Sequence, residues 1–205
     1  MMEAGITIPD FTMKKILTIL MSLTTALCGW VQGAPEVAPT EVTPQRLLIV
    51  YYSWGGNTRA AAQTLQQATG GKLVEITPKV PYPTSYRDCV DQAKKEVNEG
   101  FLPEISLSEP VDLSRYDVVL VGSPNWWSTL APPVSGFLTH YPLKGKKVAV
   151  FVTHGGGGMA RCQRDAKRFA PEAVFLRGAA FPGSSVADDA DSIRRWVNHI
   201  LTVKK

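Results

Sequence analysis

Leu47-Leu48-Ile49-Val50-Tyr51-Tyr52 runs straight into Ser53-Trp54-Gly55-Gly56-Asn57-Thr58, and this stretch decides the fold. Six apolar or aromatic residues without period-two alternation read as a strand buried on both faces, the pattern of a parallel sheet. The glycines then turn the chain. Beyond them Ala61, Leu65 and Ala68 recur at helical spacing, so a helix begins at Asn57-Thr58.

The same alternation continues to the end of the chain. Val118–Val121 and Val148–Val152 are further continuous apolar runs, and Lys72–Thr77 and Ala173–Phe181 are weaker strand candidates, the latter interrupted by Arg177 and Gly178. Between them, Tyr86, Val90, Ala93 and Val97 mark a second helix, with Ser85 and Asp88 in a capping-box pattern. A short helix follows Pro132-Pro133, and a fourth runs from Met159 to Phe169. The fifth begins near Ser185, with Asp188 as its capping partner and Ile193, Val197 and Ile200 on one face. Five strands alternating with five helices predict a doubly wound α/β fold with a five-stranded parallel sheet. Ligands in such folds sit beyond the carboxyl ends of the strands, so the loops after the strong strands are where chemistry is expected.

The first loop, Ser53 to Thr58, suits a phosphate. Gly55 and Gly56 let backbone N–H groups turn inward, Ser53 and Thr58 bring hydroxyls, Asn57 brings an amide, and the following helix offers its positive end. It lacks the Gly-Lys-Ser/Thr ending of a triphosphate loop and the spaced glycines of a dinucleotide loop. Arg59 adds charge if it points inward. The second loop, Gly122 to Thr129, contains Pro124-Asn125-Trp126-Trp127; adjacent side chains diverge, so at least one tryptophan is expected to face a ligand. The third, Thr153-His154-Gly155-Gly156-Gly157-Gly158, permits close backbone approach to a flat ring. Histidine is the side chain that exchanges a proton near neutral pH, and His154 is the catalytic candidate.

Together these loops resemble those of the flavodoxin-like family, in the subfamily with Ser-Trp-x-Gly-Asn-Thr-Arg, Pro-x-Trp-Trp and Thr-His-Gly loops, and the resemblance covers Leu47 to the end. It implies the strand order 2-1-3-4-5 and non-covalent FMN. It also implies cofactor contacts from Ser53, Trp54, Gly55, Gly56, Asn57, Thr58, Pro124, Asn125, Trp126, Trp127, Thr153, His154, Gly155 and Gly156. Gly55 departs from the family pattern, which has Ser or Thr there. The Pro-x-Trp-Trp arrangement is similar to that of small flavin-dependent quinone reductases. The implied function is an FMN-dependent oxidoreductase acting on a small acceptor such as a quinone, the alternative being an electron carrier serving a protein partner. No metal site is expected. The segment Val80–Tyr86 reads as a rigid lead into the second helix, and Arg161, Arg164 and Arg168 read as a solvated helix face.

The N-terminus differs in kind. Lys14 and Lys15 precede the apolar run Ile16–Leu27, and the small residues Gly33 and Ala34 follow. That order reads as a secretory signal with cleavage after Gly33 and a true start at Met13; the apolar run is too short to span a membrane, which takes about 20 residues. Residues 34–46, with Pro35, Pro39 and Pro44, read as a linker to the domain at 47–205. The expected location is therefore outside the inner membrane, in the periplasm, with no stable membrane span after cleavage. The net charge is +4. Flavodoxins resemble one another in being acidic, so this basic balance weighs against the carrier alternative. No basic stripe interleaved with aromatics suggests nucleic acid. Cys89 and Cys162 fall on the second and fourth helices, apart on one sheet face, and are expected to be free thiols.

Overall fold

The computed structural model describes residues 46–202; the signal sequence and the linker expected over residues 1–33 and 34–46 lie outside the described residues, Arg46 excepted. The main sheet is β2(Lys72–Pro78), β1(Leu47–Tyr51), β4(Val118–Trp126), β6(Lys147–His154), with β7(Val174–Phe175) and β8(Ala179–Pro182) side by side with β6 along its far edge. All of these pair in parallel. Renumbered by the predicted strands, the order is 2-1-3-4-5, as the resemblance implied.

Three details differ from the sequence reading. A short β3(Ile105–Leu107) pairs antiparallel on the outside of β2. The fifth predicted strand is broken at Arg177-Gly178 into β7 and β8, because the Gly178 N–H turns away to the side chain of Gln163. The third strand does not end where its loop was expected: β4 runs on to Trp126 and folds back as β5(Thr129–Leu130).

Pleat alternation divides the core in two. Leu48, Val50, Val119, Val121, Val148, Val150 and Val152 face α2(Tyr86–Glu99), α3(Pro132–His140) and α4(Cys162–Phe169). Leu47, Ile49, Val118, Leu120, Ala149 and Phe151 face α1(Asn57–Thr69) and α5(Ala190–Thr202). On β1, β4 and β6 both faces are covered, which is why these strands read as unbroken apolar runs, whereas the outer β2 keeps exposed positions at Lys72 and Thr77. Gly122 lies where β4 crosses between β1 and β6; a Cβ there would stand 2.3 Å from the Phe151 ring.

Helix starts were the least legible feature. Ser85 occupies the N-cap of α2, but its side chain makes no capping bond, so the capping box is absent. The fourth helix begins at Cys162 rather than Met159. The fifth begins at Ala190, since Ser185 and Asp188 are used in a turn of their own, and Asp189 Oδ1 accepts from the Ser192 N–H instead. Cys89 and Cys162 are buried free thiols on α2 and α4, with α3 packed between those helices. Burial pushes them up to about 11 and about 12 respectively, with Glu96 and Asp165 adding to the effect.

Candidate functional site

A cleft of about 450 Å³ opens at the carboxyl ends of β1, β4 and β6. This is within the size range of small-molecule sites. It is lined by Ser53, Trp54, Gly55, Asn57, Thr58, Pro124, Asn125, Trp126, Trp127, Thr153, His154 and Gly155, so the structure brings together every expected site residue except Gly56 and Gly156. Those two act from behind the wall. Gly56 is the N-cap of α1 at φ 91°, a conformation suited to glycine, and its N–H donates to Ser53 Oγ at 3.1 Å. The Gly156 N–H donates to His154 Nδ1 at 3.0 Å.

At one end of the cleft the α1 N-terminus carries no side-chain cap. An α-helix leaves its first N–H groups without intrahelical partners, so this end offers donors and the positive pole of the helix to an anion. Thr58 is buried, and its hydroxyl bonds to that of Thr153 at 2.8 Å. Two hydroxyls hold two protons and their mutual bond uses one, leaving one to donate into the cleft. Arg59 does not point inward. Its guanidinium pairs with Glu75 on β2 at 2.5 Å, so no cation replaces the hydroxyl missing at Gly55. The lining contains no Lys, Arg, Asp or Glu at all, so the cleft has dipoles and not side-chain charges to offer an anion.

The other end is aromatic. Trp126, the last residue of β4, meets Tyr82 edge-on at 5.0 Å and Tyr52 at 5.7 Å between ring centroids, which locks its plane from behind. Tyr82 is itself fixed, its hydroxyl donating to Glu96, and burial together with that carboxylate drives the phenol well above its ordinary range. Trp127 and Ser128 are the two turn residues of the β4–β5 hairpin, at φ 51° and 67°. Two successive positive φ values make this a type I′ turn, normally the place of Asn-Gly. A tryptophan there is strained by about 1–2 kcal/mol. Tertiary contacts hold it: Trp127 Nε1 donates to the Val90 carbonyl at 3.1 Å, Lys94 Nζ lies 4.9 Å from its ring centroid, and the Arg161 N–H donates to the Ser128 carbonyl at 2.9 Å.

Cross-ties join the loops into one frame. Asn125 Nδ2 donates to the Gly158 carbonyl at 2.8 Å. Trp54 Nε1 donates to the Pro83 carbonyl at 2.9 Å. The Val80–Tyr86 segment leads into α2 as expected and also backs the cleft, with Tyr82 against Trp126 and Tyr86, the first residue of α2, in the lining. Sequence reasoning also missed Tyr86, Cys89, Val90 and Ala93 as lining residues. Their helical spacing was visible, but the same spacing marks an ordinary core face.

A parallel sheet in this order, with a dipolar anion cradle and an aromatic slot at its carboxyl edge, defines a nucleotide-type cofactor protein. The sequence model of the flavodoxin family matches residues 46–200, more than half of the chain, and the chain belongs to that family. Among solved structures it is similar to a flavoprotein of Bacteroides eggerthii at 30% identity, covering 78% of this chain and 99% of that one, with a TM-score of 0.67. A flavoprotein of Lactobacillus acidophilus, solved in complex with FMN, matches at 25% identity, covering 72% and 99%, with a TM-score of 0.58. A flavodoxin, WrbA-like protein of Agrobacterium tumefaciens shares the fold, at 14% identity over 76% and 94%, with a TM-score of 0.52.

Proposed function

We propose that this chain is an FMN-dependent oxidoreductase that passes two electrons to a small acceptor such as a quinone. FMN is its cofactor, and the flavin supplies the electron chemistry. In this reading Ser53, Asn57, Thr58 and the free N–H groups of α1 receive the phosphate. Trp54, Trp126 and Trp127 flank the ring, and the Thr153–Gly156 loop offers N–H donors to its edge.

The observation that carries the choice of an enzyme is the tautomer of His154. Because Nδ1 accepts the Gly156 N–H, the neutral imidazole holds its proton on Nε2. His154 lines the cleft, so Nε2–H can donate a hydrogen bond where an anionic quinone oxygen would form, while the proton that completes the hydroquinone comes from solvent. A one-electron carrier has no need of such a donor.

The test begins with protein reconstituted with FMN, whose fluorescence should be quenched by the tryptophans. Turnover of a small quinone with a simple reductant is then measured. No turnover, together with a stable one-electron-reduced species during stepwise reduction, would establish the carrier reading instead. Export to the periplasm belongs to the same proposal, and sequencing the N-terminus of protein from its native cell checks it; an intact Met1 or Met13 end would refute it.

A further inference from the structure

Asp165 is the only carboxylate on α4 and it is turned inward. Its side chain is 8% exposed, and it accepts a hydrogen bond from the Thr129 hydroxyl at 2.7 Å. Around it stand three guanidinium groups: Arg164 Nε at 3.2 Å, Arg161 Nε at 3.7 Å and Arg168 Nη1 at 3.8 Å. These side chains remain 65%, 49% and 77% exposed, and the exposed Lys167 adds a fourth cation.

An ordinary solvated helix face mixes signs in i,i+4 pairs. Here the acid is spent inside and every outward charge is positive. One buried carboxylate cannot neutralise three arginines, so a net positive array is held in place by a common anchor. Such preorganisation lowers the entropy cost of gripping an anionic surface. Glu99, at the end of α2, and the buried Glu96, whose carboxylate is engaged by Tyr82 and Gln92, line the same groove as the three arginines.

The array is also tied to the candidate cofactor cleft. Arg161 donates through its backbone N–H to the Ser128 carbonyl at 2.9 Å and through Nη2 to the Trp127 carbonyl at 3.4 Å. Trp127 at 44% and Tyr86 at 74% exposure stand at the cleft. Tryptophan, tyrosine and arginine are the residues that dominate protein docking sites, and here Arg161 bonds the hairpin that carries Trp127, while Tyr86 lines the same cleft as Trp127.

We infer that the Arg161–Arg164–Arg168 array, with Trp127 beside it, is the docking site of an acidic one-electron carrier protein that reduces the FMN. This rests on the FMN oxidoreductase reading. The balance is simple: two carrier molecules are each oxidised by one electron, and the flavin takes up those two electrons with two protons from solvent. The acceptor then takes both electrons and two protons, so that one hydroquinone is formed for every two carrier molecules oxidised.

The probe is a plant-type ferredoxin, an acidic one-electron protein, and the control is the basic cytochrome c. Binding of oxidised ferredoxin to the full chain is measured by NMR titration and calorimetry, with and without FMN. Reduction of the FMN-loaded protein by reduced ferredoxin is followed by stopped flow. The expected result is binding and a bimolecular rate that each fall about tenfold or more between 50 and 300 mM salt. Shifts should centre on residues 127–128 and 161–168. The same loss should appear at low salt in the R164E/R168E double variant, while R164K/R168K retains binding and FMN affinity is unchanged in both. Cytochrome c should not bind.

Ferredoxin binding that ignores salt and charge reversal would overturn the inference. So would displacement of ferredoxin by NADP+ but not by NAD+, which would make the array a nucleotide phosphate site. Docking is read without FMN, so a chain that binds ferredoxin but no FMN refutes the cofactor reading alone. A chain that binds FMN but no ferredoxin refutes the docking alone.

Discussion

The two ends of the cleft are built on opposite principles. The α1 end uses backbone N–H groups, glycines and small hydroxyls, all but Thr153 from one contiguous segment, and Arg59, the first charged residue of α1, is engaged by Glu75. The hairpin end uses large rings in a strained turn, held by Val90 and Lys94 on α2 and by Arg161 beside α4. A phosphate has a fixed shape that dipoles on a rigid helix can match without charge. A flat ring is gripped by area, and area must be held in place from outside the turn itself.

The comparison predicts that substitutions at the two ends separate by ligand, and the largest effect lies between them. Replacing His154 by Ala, which removes the Nε2–H donor, should slow quinone turnover by about 10²-fold while leaving FMN affinity nearly intact. Equal loss of both would make His154 a structural member of the third loop. A steady-state assay with parallel FMN titration decides it.

Next, Thr58→Ala should weaken FMN binding by about 1–3 kcal/mol and riboflavin binding hardly at all. Asp165→Asn should do the reverse in kind. Freed from its carboxylate anchor, Arg161 holds the hairpin less firmly, so FMN and riboflavin should both weaken, by about 1 kcal/mol each, with less complete fluorescence quenching. If both variants lowered the two ligands equally, the division of the cleft into a phosphate end and a ring end would fail.

The helices that brace the hairpin carry Cys89 and Cys162, which gives a pH test. In the fold these thiols titrate at about 11 and about 12 against an ordinary value of 9. Above pH 9 the unfolded chain therefore binds fewer protons than the folded one, and linkage makes stability fall as pH rises through that window. Chemical denaturation between pH 7 and 10.5 should show the decline beginning near 9, reduced in a Cys89→Ala/Cys162→Ala variant. At pH 8 a thiol reagent should leave Cys162, which is fully buried and away from the cleft, unlabelled until the protein unfolds.

The smallest effect sharpens the role of strain. Ser128 sits at φ 67°, and Ser128→Gly should relieve the turn at the cost of greater freedom in the unfolded chain, for a net gain of roughly 0.5 kcal/mol. A small rise in Tm is expected. A fall would mean that the turn is held by the Ser128 side chain and not by the contacts of its neighbours.

These contrasts track what could be read from the chain before it was folded. The parallel sheet was legible because strands buried on both faces must be apolar at every position, as in Leu47–Tyr52 and Val148–Val152. The anion cradle was legible because strand, glycine turn, hydroxyls and helix start are consecutive, and local sequence sets local backbone. The start of the fifth helix was misread at Ser185 because a short polar residue can begin a turn as readily as a helix.

What the tertiary structure alone decided is the hairpin end. Nothing in Trp126-Trp127-Ser128-Thr129 announces a type I′ turn, since neither central residue favours positive φ. The turn exists because Val90, Lys94 and Arg161, distant in sequence, hold it there. Arg59 faced outward and the three arginines converged on Asp165 for the same reason. A charged side chain takes its direction from the partner that the fold places within reach, and that partner is not written next to it in the chain.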